Sequence, residues 1–182
     1  MKKLIILILA SISYLGIAQV IIGDDIGTAN DKTSVILEFA ENKKKGIILP
    51  YVRTMPSGPN LVEGTILLDA TNPEEAKVVY YNGDWVDLSS GDTADVGDAL
   101  AIQPTEADVT EDVNAKVIIG SETTEANGVL VLESTEMAMV LPQVEDTDEI
   151  INPAPGMMVY INKTDAKRLA IFNGSKWTYW KP

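Results

Sequence analysis

The feature that most constrains this chain is an internal duplication. Val20-Ile21-Ile22-Gly23 returns as Val117-Ile118-Ile119-Gly120, and Val35-Ile36-Leu37-Glu38 returns as Leu130-Val131-Leu132-Glu133. Gly46-Ile47-Ile48-Leu49-Pro50 matches Ala138-Met139-Val140-Leu141-Pro142 after a shorter connection. From each proline the next landmark lies 14 positions on, at Gly64 and at Gly156. Val78 to Trp85 then aligns with Leu169 to Trp177, with one residue inserted before the second tryptophan. A repeat of this kind has to be identified before any motif, because each copy must satisfy the same local rules and neither is large enough to be read alone.

The apolar runs are about four to six residues long, rich in Val, Ile, Leu and Tyr, and bounded by Gly, Pro, Asn and Asp, which is the pattern of strands. The expected class is all-β, with two tandem copies of a small meander. Asn82-Gly83 predicts a two-residue type I′ hairpin, since both central residues of that turn need positive φ. Asn173-Gly174-Ser175 predicts a three-residue version. Pro50 and Pro142 should end strands or lie on an edge, where a missing amide proton does no harm. The expected organisation is a leader over 1–18, a first module over 19–88, an acidic linker over 89–116 and a second module over 117–182. The linker has Asp92, Asp95, Asp98, Glu106, Asp108, Glu111 and Asp112 and no basic residue before Lys116. That composition predicts mobility, with Ala99-Leu100-Ala101-Ile102 as a short apolar strand that could dock it.

Lys2 and Lys3 precede an apolar run from Leu4 to Leu15 that ends in Gly16-Ile17-Ala18, the layout of a secretory signal peptide cleaved between Ala18 and Gln19. A spanning helix needs about 20 apolar residues, and Ser11, Ser13 and Gly16 interrupt this run. The expectation is an exported protein with no transmembrane segment once the leader is removed. After cleavage twelve of the fourteen Lys+Arg remain against 27 Asp+Glu, a formal charge of −15. Nucleic acid and anionic lipid are therefore poor partners, because both require clustered cations.

The chain has no histidine and no cysteine. Ser-His-Asp triads, Cys-His dyads, thiolate metal sites and disulfide staples are thereby excluded. Paired carboxylates could still do glycosidase chemistry, but these acids lie mostly in polar, acidic surroundings, so the chain reads as no enzyme and no cofactor is expected. Asp92 to Asp98 and Glu145 to Glu149 bring oxygen donors close together without the spacing of a helix-loop-helix calcium site, and a solvated acidic loop is the preferred reading over an incidental calcium. Trp85 and Trp177, being equivalent positions, read as hydrophobic plugs of each copy. Trp180 and Tyr179 are the candidate exposed aromatic surface, with an edge-covering role as the alternative.

The order of features resembles secreted tail-fibre-like repeat proteins of Gram-negative bacteria. The residues that carry this are the leader ending Ala-Gln, Val-Ile-Ile-Gly, the apolar-Leu-Pro steps at Leu49-Pro50 and Leu141-Pro142, and the Asn-Gly hairpins running to Trp85 and Trp177. Met137-Ala138-Met139 departs from that family's usual Lys-Gly at this place. The resemblance implies a β-rich, self-associating fibre or surface component and transfers no catalytic residue. Size points the same way, since a copy of about 65 to 70 residues buries only about 60% of its chain surface alone. The leading expectation is a non-catalytic extracellular or cell-surface structural or adhesive protein that forms a homo-oligomer, trimer or polymer. Surface glycans and other surface proteins are further candidate partners. The alternative is a secreted carbohydrate-binding module using its aromatics. A free N-terminal strand, Val20, Ile21 and Ile22, is the candidate for pairing with a neighbouring chain.

Overall fold

The computed structural model describes residues 19–180 apart from positions 106, 111, 113 and 114; the expected leader at 1–18 lies outside the described residues. Among the described residues, short strands supply almost all the regular structure, as the all-β reading expects. In the first half β1 (Val20–Ile22) runs parallel to β2 (Val35–Phe39). After β3 (Ile47–Ile48), β4 (Tyr51–Val52) lies parallel to β5 (Ile66–Asp69), which continues antiparallel through β6 (Lys77–Asn82) and β7 (Asp84–Asp87). The second half returns the same order. Here β8 (Val117–Ile119) is parallel to β9 (Leu130–Leu132), β10 (Ala138–Met139) follows, and β11 (Gln143–Val144) lies parallel to β12 (Met157–Ile161). β13 (Arg168–Phe172) and β14 (Trp177–Trp180) complete the meander.

Equivalent residues make equivalent contacts. Tyr51 sits opposite Leu68, and Gln143 opposite Tyr160. Pro50 and Pro142 fall in the breaks before β4 and β11, and their carbonyls accept from Leu68 N (3.0 Å) and Tyr160 N (2.9 Å). Trp85 packs on Tyr81 with ring centroids 5.3 Å apart, and Trp177 on Phe172 at 5.2 Å. One register differs: Val20 faces Leu37, whereas Val117 faces Leu130, the counterpart of Val35. The connection is two residues shorter in the second copy, and a shift of two keeps every side chain on its original face.

The two halves do not close separately. β3 pairs antiparallel with β12 of the other half, Ile48 opposite Met157, and β10 pairs parallel with β2, Ala138 opposite Val35. Leu68 and Val78 of the first meander join Met158 and Ile171 of the second in one buried cluster, together with Leu49, Ala94, Val96 and Leu100. Tyr51 Oη donates to Pro155 O across the same junction (2.7 Å), and burial raises its phenol above the ordinary value. Alternation along β12 sends Met157, Val159 and Ile161 to the opposite face, into a second cluster with Val144, Ile150 and Ala170. Each such side chain contributes roughly 1.5–3 kcal/mol through burial.

The start of the acidic segment is part of this core. Val78 N donates to the buried Ser89 Oγ (2.9 Å), and Ala94 exchanges two backbone bonds of 2.9 Å with Ala76. Residues 99–102 are not the short strand expected from their composition; α1 (Gly97–Ala101) is a helical turn. The helix follows from spacing, because Val96 and Leu100 are four apart and reach the core together, leaving Ile102 in solvent.

Both hairpin tips also differ from expectation. Asn82 faces Asp84, so Gly83 alone lies between the paired residues of the first tip, and it takes positive φ, at 80°, in place of a type I′ pair. Phe172 faces Trp177, giving a four-residue tip in which the buried Asn173 Oδ1 accepts from Ser175 N and Lys176 N, both at 2.9 Å. Gly83 Cα looks into open space, whereas a Cβ on Gly174 (φ 120°) would lie 3.1 Å from Ala94 Cβ and 3.2 Å from Val96 Cγ1.

Glu38 is the fully buried carboxylate that fastens the loop between β1 and β2. It pairs with Lys32 and accepts from Gln19 Nε2 (2.7 Å), Thr28 N (2.8 Å) and Ala29 N (2.8 Å). Burial pushes its pKa up, but the Lys32 bond and the two amides outweigh burial and hold it below the ordinary 4.5. Its counterpart Glu133 accepts from Thr124 Oγ1, a smaller version of the same clasp.

Two predictions follow from these local geometries. Gly83→Ala should cost about 1–2 kcal/mol for the backbone alone, and Gly174→Ala distinctly more; equal shifts in urea midpoint would contradict the packing of 94–96 on the second tip. Because the folded pKa of Glu38 is depressed, its stabilisation is present above the unfolded value of 4.5 and is lost as pH falls through the folded one. Glu38→Gln should therefore lower stability by about 2 kcal/mol at neutral pH and flatten the acid loss seen in the parent. Parallel stability–pH curves for the two proteins would contradict the clasp.

Candidate assembly surface

Strand pairing leaves one sheet visibly short. β2 is flanked on both sides, by β1 and by β10, and Val35 to Glu38 are buried. Its counterpart β9 is, among the described residues, flanked by β8 alone. Val117 N donates to Val129 O and Glu133 N to Ile119 O, both at 2.9 Å, so residues 129 and 133 point their amide groups towards β8. Alternation then turns the backbone polar groups of Leu130 and Leu132 to the other edge, where no strand pairs among the described residues. Leu130 is 47% exposed, and Val117 and Val129 are exposed beside it.

A groove of about 690 Å³ follows this strand, lined by Val131, Leu132 and Glu133, by Thr123 to Ala126 and by Val62 of the first half. A second groove, about 470 Å³, lies between Gln19-Val20 and Ile118 to Glu122. Val20, Ile21 and Ile22, the candidate intersubunit strand, pair here with Leu37, Glu38 and Phe39 of their own chain.

Tyr179 and Trp180 occupy the end of β14, 46% and 39% exposed. As successive strand residues they point to opposite faces, so they do not build one aromatic platform. Each is also tied down: Trp180 Nε1 donates to Leu88 O (3.1 Å), and Tyr179 Oη bonds Thr147 Oγ1 (2.9 Å) with the Arg168 guanidinium 5.2 Å from its ring centroid. Thr178 Oγ1 donates to the same Leu88 carbonyl (2.8 Å). Sequence reasoning passed over Leu88, although it stands exactly where Trp180 stands in the other copy. It also passed over the exposed Leu130 and the half-buried Leu132, beside which no described strand pairs on the outer edge, a feature that composition does not reveal.

Among the described residues no group of three or more His, Cys, Asp or Glu side chains is arranged to hold a metal ion. No described helix is long and apolar enough to cross a membrane.

In comparisons with known proteins, residues 118–182 match the family model described as the phage tail like trimerisation region. No curated protein and no solved structure gives a match to the chain. The matched residues begin within β8 and take in all of β9 to β14, so the incomplete sheet lies in the part of the chain that is similar to a trimerisation region. Together with the all-β fold, the match supports a structural, trimer-forming, fibre-like protein.

Proposed function

We propose that this chain is a non-catalytic structural subunit of an extracellular or cell-surface fibre, exported by removal of residues 1–18 and associating as a homotrimer. In this reading residues 19–88 and 117–182 are two copies of one building unit, and the acidic stretch between them joins the copies. The observation that carries it is the coincidence of the trimerisation match with the half of the chain whose β8–β9 sheet lacks an outer strand. A free sheet edge is a template for another chain, and proteins that do not use one generally cover or charge it. An adhesive role would need a receptor-binding surface at the fibre's exposed end. The carbohydrate-binding alternative would need aromatics sharing one face, which Tyr179 and Trp180 do not.

The direct test is the mass of the chain 19–182 by light scattering across a range of concentrations. Three times the chain mass is expected at the upper end. A mass of one chain at every concentration would overturn the proposal.

A further inference from the structure

Resting on the self-association reading, we propose that the open edge of β9 is completed by β3 of a second copy of this chain. The strand enters parallel with Ile47 opposite Leu132, so that the first half of one molecule seats on the second half of the next.

The template is inside the chain. β10, from the second half, lies parallel on β2 of the first, with Ala138 opposite Val35 and, after a bulge that shifts the register, Met139 opposite Leu37. By the sequence equivalence, β9 is the counterpart of β2 and β3 is the counterpart of β10, so the same pairing repeated once more places Gly46 opposite Leu130 and Ile47 opposite Leu132. The second half fills that place on the first, and among the described residues no strand fills the corresponding place on β9. β3 is suited to the role. Among the described residues it pairs with β12 alone, along one edge, and Ile48 is 53% exposed.

Stacking follows the same rule as pairing. Gly120 of the second half presses on Ile36 of β2, close enough that a Cβ at 120 would collide with the isoleucine Cδ1. The counterparts are Gly23 and Val131, and Val131 lines the groove of about 690 Å³. The groove is therefore the space that the β1 turn of an incoming molecule would take.

Charge selects the same partner. Lys43-Lys44-Lys45 immediately precedes β3 and is the densest basic run in the described residues of a chain with formal charge −13. Glu122, Glu125 and Glu133 surround the β8–β9 sheet. Exposed pairs of this kind add little affinity individually, but they steer approach and fix orientation. Joining unlike surfaces, head to tail, gives a closed ring when the rotation closes and a filament when it does not. The trimerisation match selects a ring of three.

The native chain has no cysteine, so engineered thiols report cleanly. Ile47→Cys and Leu132→Cys are made in separate copies of the chain 19–182, mixed, and treated with a short thiol-specific cross-linker. A covalent pair in the mixture, and not in either protein alone, is expected. In parallel, Lys43→Glu with Lys45→Glu should weaken association about tenfold at low salt, and adding Glu122→Lys with Glu125→Lys should restore it. These side chains are on the surface, and unchanged urea midpoints check that the variants fold. A trimer mass with no mixed cross-link and no effect of charge reversal overturns the β3–β9 contact while leaving self-association standing. A parent chain that stays a monomer removes both.

Discussion

Two short strands trade places, and most of the fold depends on that trade. Ile47–Ile48 leaves the first half to pair with Met157 and Met158, and Ala138–Met139 leaves the second half to pair beside β2. Each exchange satisfies backbone groups that would otherwise sit at a sheet edge, and each pulls one meander against the other. The shared face, with Leu68 and Val78 against Met158 and Ile171, is the consequence. Halves of about 65 to 70 residues without disulfides are marginal alone; two halves that bury equivalent faces against each other obtain a core that neither contains.

The exchange is also unfinished by construction. β10 lies on β2, and among the described residues the corresponding place on β9 is unfilled. The first copy is correspondingly protected, with β2 covered on both edges and Glu38 clasped by Lys32 and two backbone amides. In the second copy no described strand pairs on the outer edge of β9, and Glu133 accepts from the Thr124 hydroxyl. The contrast between equivalent positions distinguishes a surface awaiting a neighbour from a surface that is simply polar. Neither pockets nor charge alone would make that distinction.

Strand content, the positions of Pro50 and Pro142, and the matched places of Trp85 and Trp177 were all legible from residue types, because each depends on local contacts. The strand exchange was not, since β3 and β10 look alike in sequence and differ only in which partner they meet. The acidic stretch misled for a related reason: Asp95, Asp98 and Asp108 face solvent, while Ser89, Ala94, Val96 and Leu100 face the core, and an average over the segment reports only the former. At the hairpin, Asn82-Gly83 announced a turn correctly but the flanking register set its length. For Tyr179 and Trp180, adjacency in sequence suggested one surface where strand alternation makes two.

Cross-pairing and a shared core make the two halves one interlocked unit rather than two beads on a string. Native-state hydrogen exchange measures this directly, because amides that open only by global unfolding share one free energy. A single common value is expected for the most protected amides of β5 and β6 and those of β12 and β13. Two separate plateaus, one for each half, would contradict it.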